Sequence, residues 1–394
     1  MLVVVCQACN ENTTFKSELV ARSRAAGQQR RNLNEATGSP RLSRSGHSGI
    51  VAAIGHGETA VLTLGYKASA EQFGPRKLLA FSVLAEQTGF DSVFVSDHFQ
   101  PWKHTDGHAP SALAWLGALG ASTQRIVMGT SVLTPTFRYH PSMVAQVFGT
   151  LGAMFTGRVV LGIGTGESLN EVPATGMEWP EFKERFARLR EAVTLIRRLW
   201  TEQHVTFEGQ YYRTRDATIY DRPDPPVPIY VAAAGALVAK YAGRSADGFI
   251  CTSGKGTALY AETLLPNLAE GLKASQKPDR AYDRMIEMKV SFDTERQRAM
   301  EDTRHWAALA LTPEEKVSVH DPREMEQLAA ALPVERAASR WIVSTDPDEH
   351  VEKIRPYVEL GFRHLVFHAP GPDQERFLRL YGAQVLPKLR QRFG

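Results

Sequence analysis

A closed (β/α)8 TIM barrel, an α/β fold with parallel strands inside and helices outside, is what this sequence predicts for most of its length. Three observations carry that expectation: about eight short β-branched or aromatic runs, amphipathic helical stretches between them, and strand runs that are apolar almost throughout. Near-continuous apolar strands belong in a sheet covered on both faces, and regular alternation with helices makes that sheet parallel. An open, doubly wound sheet is the alternative.

The regular beat begins with a strand at residues 61–66. Pro75 then opens a helix, since its missing N–H costs nothing in a first turn, Leu78, Leu79, Val83 and Leu84 supply the apolar face, and Gly89 ends it. The next strand is 91–96, followed by a long loop and a helix near 112–121. Further strands fall at 125–132, 158–163, 228–233, 247–252, 285–291 and 364–368. The longest helix, 179–201, has Pro180 in its first turn. Glu181 and Glu184 stand near the positive end of its dipole, and Arg197 and Arg198 near the negative end. Residues 205–220, rich in Tyr and Thr around Glu208 and Gly209, read as a hairpin insertion. A longer, mainly helical insertion spans about 293–338, with insertions expected at the C-terminal face of the barrel.

Residues 1–58 differ from the rest. Arg22, Arg24, Arg30, Arg31, Arg41 and Arg44 lie among Ser, Gly, Gln and Asn with little hydrophobic periodicity, which reads as a mobile N-terminal extension ahead of a catalytic domain at 59–394. Glu11, Glu18 and Glu35 count against an organellar transit peptide. Cys6 and Cys9 have zinc or redox spacing but no second pair, so no metal is expected. No apolar run approaches the roughly 20 residues that span a bilayer, and no apolar stretch follows Arg30-Arg31 as in an export signal. A cytoplasmic protein is expected. With 46 basic and 43 acidic residues the net charge is +3, so no bulk electrostatics draw it to nucleic acid or a membrane, and any cationic site must be local.

In a barrel the chemistry lies at the carboxyl ends of the strands. There the sequence places Asp97-His98 with Trp102, then Ser131 to Thr136, Gly164-Thr165-Gly166-Glu167, Ala234-Gly235, and Thr252-Ser253-Gly254-Lys255. His98 is the natural proton carrier, because an imidazole titrates near neutrality; a strand-end histidine bonded to local backbone is the plainer reading. Glu167 follows Gly162, Gly164 and Gly166, where backbone can approach a ligand closely. Those glycines are a weak dinucleotide fingerprint, since no helix opens directly behind them and no acidic residue ends a following strand. Lys255 fits a phosphate monoester better than a Walker loop, because Phe249 occupies the first glycine position of such a loop.

Long motifs in fixed order then carry a resemblance. Leu64 to Phe73, Ser96 to Trp102, Thr130 to Tyr139, Trp179 to Arg190, Ala239 to Arg244, Asp247 to Lys255 and Leu365 to Gly371 together cover essentially all of 61–394. They closely resemble the F420-dependent glucose-6-phosphate dehydrogenases, a luciferase-like oxidoreductase family. The resemblance implies oxidation of D-glucose 6-phosphate to 6-phosphoglucono-1,5-lactone, with hydride passing from C1 to C5 of coenzyme F420. It makes His98 the base for the C1 hydroxyl and Glu167 the proton donor to the coenzyme ring, with Trp102 at the reacting centre. Asp97, Ser131, Val132, Thr134, Thr165, Gly166 and Asn170 would contact the coenzyme, with a non-proline cis bond at Ser131-Val132. Ala234, Gly235, Leu237 and Val238 would lie near its phosphate and polyglutamate tail. Thr252, Lys255, Lys316 and Arg340 would hold the substrate phosphate, and a homodimer is implied. An alcohol- or pterin-directed relative using F420 or FMN, or a barrel that only binds a deazaflavin, are the alternatives. Residues 172–177 and Ala234 depart from the family pattern, and 1–58 have no counterpart in it.

Overall fold

The computed structural model describes residues 61–275, 282–316 and 319–394, so the expected extension at 1–58, with Cys6 and Cys9, lies outside the described residues. Strands β1 (Thr63–Ala68), β2 (Ser92–Val95), β3 (Val127–Thr130) and β4 (Val159–Ile163) are followed by a separate antiparallel hairpin, β5 (Val205–Glu208) and β6 (Arg213–Ala217). Then come β7 (Ile229–Ala232), β8 (Gly248–Thr252), β9 (Asp283–Phe292), β10 (Ile342–Ser344) and β11 (His364–His368). Eight parallel strands close the barrel, because β8 pairs with β9, β9 with β11 and β11 with β1. The short β10 adds to the far end of β9, pairing Ile342 with Val290. A closed sheet leaves no continuous unpaired edge.

The helices in chain order are α1 (Pro75–Gln87), α2 (Ala112–Ser122), α3 (Pro141–Met154), α4 (Ser168–Thr175), α5 (Phe182–Thr201), α6 (Ala236–Ser245) and α7 (Leu265–Ser275). Between β9 and β10 lie α8 (Arg296–Glu301), a 3-10 segment (Asp302–Ala310), α9 (Pro313–Lys316), α10 (Pro322–Ala330) and α11 (Val334–Ala338). The chain ends with α12 (Pro347–Glu359), α13 (Gln374–Gln384) and α14 (Leu386–Phe393). Their starts follow local chemistry. Pro opens α1, α3, α10 and α12, while Asp321, Asp346 and Asp373 accept a backbone N–H as N-caps.

Strand alternation sorts the side chains. Leu64, Tyr66, Val93, Val95, Leu161 and Ile163 point outward into the layer under the helices, where all are buried. Inside the barrel, Phe94, Val160, Tyr230, Ile250, Met285 and Val366 form a second apolar cluster. Each such side chain contributes about 1.5–3 kcal/mol of burial. Every second residue of β9 faces inward, so Asp283, Met285, Glu287 and Lys289 climb the interior. Asp283 lies low, accepting from Tyr230 Oη at 2.7 Å and meeting His364 Nδ1 at 2.8 Å. Glu287 and Lys289 lie high, under the mouth, as does Lys67 of β1.

Gly162 is glycine for want of room. A Cβ there would stand 1.9 Å from the Thr130 carbonyl oxygen and 2.9 Å from Ile250 Cδ1. β3 ends at Thr130, earlier than the sequence pattern suggested, and a cis peptide joins Ser131 and Val132 just after it. α4 was missed by the sequence pattern, as Pro173 lies inside it; Gly176, at φ 68°, ends it.

Candidate active site

The strand ends converge on one cavity of about 1020 Å³, and each candidate residue carried over for the reaction, the coenzyme or the substrate borders it, from Asp97 and His98 just after β2 to Lys316 and Arg340 beyond β9. Trp306, Leu309 and Leu311, from the segment after β9, border it too.

Two carboxylates and an imidazole form its proton-handling side. His98 Nδ1 lies 2.7 Å from Glu71 Oε1, a residue of the β1 loop. Glu71 Oε2 accepts the Trp102 backbone N–H at 2.8 Å, while the Trp102 indole N–H donates to Glu167 Oε2 at 3.1 Å. Asn170 completes the arrangement: its Nδ2 donates to Glu167 at 3.1 Å, and its Oδ1 accepts from the backbone of Phe99 at 2.7 Å and Gln100 at 3.0 Å.

The electrostatics separate the two carboxyls. Burial pushes both upward. For Glu71 the His98 imidazolium, the Trp102 N–H and Lys67 more than offset it, so its pKa falls below the usual value. Glu167 stays raised, with Glu71 reinforcing burial and His98, Trp102 and Lys316 offsetting it only in part. Burial alone would lower His98, yet Glu71 and then Glu167 hold it above an ordinary imidazole. Glu71 is therefore the ionised partner, Glu167 the readier proton donor, and His98 an acceptor whose basicity is increased.

Across the cavity is a cationic corner. Among the described residues, no carboxylate lies within ion-pair distance of Lys255, Lys316 or Arg340. Desolvation, then repulsion by Arg340 and Lys316, lowers the pKa of Lys255; desolvation lowers that of Lys316, with Glu167 offsetting it in part and Arg340 adding to it; desolvation lowers that of Arg340. Lys316 Nζ rests 4.7 Å from the centre of the Trp102 ring. Arg340 Nε and Thr252 Oγ1 are buried with no hydrogen-bond partner. Gly254, at φ 75°, lets β8's loop pass the Arg340 carbonyl, which a Cβ would approach to 2.7 Å. Tyr260 braces the loop, donating to the Thr252 carbonyl at 2.8 Å and accepting the Lys255 N–H at 3.2 Å. Lys255 is exposed and Lys316 and Arg340 are half-buried, so three neighbouring cations without a carboxylate partner face the cavity, and a phosphate dianion matches two lysines and an arginine.

The remaining wall suits a flat ring system with an anionic appendage. Gly166, at φ 89°, exposes backbone between Thr165 and Glu167. At the start of α6, Gly235 caps the helix with no side chain and nothing lies within 4 Å of its Cβ position, leaving amide N–H groups open to an anion. Asp97 borders this wall, but its carboxylate already serves Arg138 Nη2 at 3.0 Å, Tyr139 Oη at 3.0 Å and the Ala112 N–H at 3.1 Å.

Sequence reasoning gave no role to Glu71, or to the charges beneath the floor. Lys67 donates to the Ser131 carbonyl and stands 3.0 Å from Glu287, which also binds Lys289; Lys289 lies 3.0 Å from His368 Nδ1. Lys289 and Lys67 outweigh burial and hold Glu287 well below the usual carboxylate range, while burial, then Lys289, lowers His368 to about 4. The available signal was charge at alternate positions of an apolar strand, Glu287 and Lys289, which puts both on the inward face.

The family model for luciferase-like monooxygenases matches residues 56–364. The F420-dependent glucose-6-phosphate dehydrogenase of Nakamurella multipartita is 65% identical over 333 residues, 84% of this chain and 98% of that protein. Its counterpart in Beutenbergia cavernae is also 65% identical, over 84% of this chain and 98% of that protein. An F420-dependent secondary alcohol dehydrogenase, solved with an F420-acetone adduct, superposes with a TM-score of 0.79 at 32% identity, covering 84% of this chain and 99% of that one. Among the described residues no helix is long and apolar enough to cross a membrane.

Proposed function

The chain belongs to the luciferase-like monooxygenase family and, within it, to the F420-dependent glucose-6-phosphate dehydrogenases; from that premise we infer that it oxidises D-glucose 6-phosphate to 6-phosphoglucono-1,5-lactone. Coenzyme F420, when bound, supplies the hydride acceptor at its C5. The residues of the chain do the rest. Lys255, Lys316 and Arg340, with the Thr252 hydroxyl, bind the phosphate and so fix the sugar's reach toward His98. His98 Nε2 takes the C1 hydroxyl proton, with Glu71 on Nδ1 stabilising the imidazolium that forms. Glu167, whose pKa burial raises, is the proton donor on the opposite side of the reacting pair. Removing the hydroxyl proton as hydride leaves avoids a full alkoxide or a full cation at C1. Thr134, Thr165, Gly166 and Asn170, with Ser131 and Val132, are assigned to the ring, and Ala234, Gly235, Leu237 and Val238 to the phosphate that follows it.

The unpaired cationic corner supports the sugar phosphate over an alcohol or pterin. An uncharged substrate would leave these three neighbouring cations without a counter-charge, whereas a phosphate dianion supplies one. The acid/base pair disfavours mere deazaflavin storage, which needs neither group. A homodimer in the cytoplasm belongs to the same proposal, and sedimentation of the purified chain tests its assembly. The decisive assay mixes the protein with oxidised F420 and glucose 6-phosphate and follows loss of the coenzyme's visible absorbance. Bleaching with glucose 6-phosphate is expected; bleaching with simple alcohols but not with the sugar phosphate would overturn the assignment.

A further inference from the structure

We propose that Lys67, high on β1, is a positioning residue for the coenzyme ring: from below it grips the carbonyl of Ser131 in the ring platform, and as the surplus cation of a buried Lys67–Glu287–Lys289 set it makes the cavity floor favour the ring once hydride has arrived. This rests on F420 being the coenzyme and on Ser131 and Val132 facing its ring.

Strand parity puts Lys67 inside. Leu64 and Tyr66 of β1 are buried in the layer under the helices, so Lys67, one residue on, points into the barrel, where Glu287 and Lys289 arrive from β9. All three border the cavity, yet they are only 4, 8 and 5% exposed. Water therefore does little to solvate their charges, and what each touches decides its role. Lys289 binds Glu287 Oε1 and lies 3.0 Å from His368 Nδ1, so one cation already neutralises the carboxylate. Lys67 is a second, 3.0 Å from Glu287 Oε2, and it also donates to the Ser131 carbonyl. Ser131 is held at two further points. Its Oγ donates to Glu287 Oε2 at 3.3 Å, and its carbonyl accepts from Ser96 Oγ at 3.4 Å.

Among the described residues, this floor carries one surplus positive charge, Lys67 and Lys289 against Glu287. His368 adds none near neutrality, since burial, then Lys289, lowers its pKa to about 4. Asp283, the next inward carboxylate down β9, lies four residues lower, roughly 13 Å along the strand, and is engaged by Tyr230 and His364. Burying a second ammonium beside an already paired carboxylate is a poor source of stability, which points to a task for it. Hydride transfer supplies one. The C1–H bond breaks, its electron pair travels with the hydrogen to C5, and the hydroxyl proton goes to His98, so the ring side gains one negative charge until Glu167 gives up its proton. A fixed cation beneath the platform attracts that added charge in a site where water cannot reorganise around it.

Dissociation constants for oxidised and for reduced F420, measured by calorimetry without substrate and with oxygen excluded, test this. Lys67→Met leaves the Glu287–Lys289 pair whole and should weaken the reduced form on the order of tenfold more than the oxidised form. Glu287→Gln keeps the side chain's size but leaves both ammoniums unneutralised, and should shift the ratio the other way. Lys67→Arg should hold the ratio nearer wild type than Lys67→Met does. Loss of packing alone would weaken both forms alike. An unchanged ratio in Lys67→Met, or shifts of the same sign in Lys67→Met and Glu287→Gln, overturns the proposal. Should melting curves show that Lys67→Met does not fold, a preference for the reduced form that is unchanged or weakened in Glu287→Gln overturns it alone. Failure of the wild type to bind either form removes the coenzyme assignment itself, whereas binding of both with an unmoved ratio leaves that assignment and strikes only the role of Lys67.

Discussion

Replacing Arg340 by Gln separates anion recognition from proton chemistry. Its guanidinium is half-buried, has no carboxylate partner among the described residues, and has a buried Nε without a hydrogen-bond partner. A charge-assisted hydrogen bond to a dianion contributes about 1.5–3 kcal/mol. At 1.4 kcal/mol per tenfold, Arg340→Gln should raise KM for glucose 6-phosphate roughly 10- to 150-fold. The loss is partial because Lys255 and Lys316 remain. Glucose has no phosphate, so any weak activity toward it should be unchanged, and kcat at saturating glucose 6-phosphate should stay near wild type. The empty variant should melt no lower than wild type, since the substitution removes an uncompensated cation; added phosphate should raise the wild-type Tm more than the variant's. Steady-state kinetics with both sugars and paired melting curves suffice. A fall in kcat at unchanged KM would refute the phosphate role and place Arg340 in the chemical step.

The pH profile should have an acid limb set by His98, which must be unprotonated to accept the hydroxyl proton, and an alkaline limb set by Glu167, which must retain its own. Because Glu71 is the chief group holding the His98 pKa up, Glu71→Gln should move the acid limb of kcat/KM to lower pH; an unmoved limb would free Glu71 of that role. Gly162→Ala forces a methyl to within 1.9 Å of the Thr130 carbonyl oxygen and should cost about 1–3 kcal/mol, visible as a lower Tm, whereas an unchanged melting curve would show that β3 and β4 can part freely.

The barrel was legible because its strands are buried on both faces and their apolar runs are hard to mistake beside amphipathic helices. Boundaries were less so. Residue type gives no sign of a strand end at Ser131-Val132, where only the resemblance implied a cis bond; β3 stops at Thr130, and Pro173 concealed α4. His98, Glu167 and Lys255 could be placed together because strand ends share one rim, whereas Lys316 and Arg340, which lie beyond β9, came only from the resemblance. Glu71 lay in plain view after β1, but its importance depends on a 2.7 Å approach to His98 that no local pattern encodes. Glu287, Lys289 and His368 could have been found from strand parity, though their mutual pairing joins β9 to β11 and is a matter of closure.

Trp102 gives Glu71 its backbone N–H, Glu167 its indole N–H and Lys316 its ring face. Three tasks of the pocket thus depend on one side chain and its peptide, which limits how the site can be remodelled. A variant selected for a bulkier sugar cannot shift this residue for space without also disturbing Glu71, Glu167 and Lys316. Productive changes in specificity should accumulate elsewhere, in the wall built by Trp306, Leu309 and Leu311, where a side chain can be exchanged without breaking these three contacts.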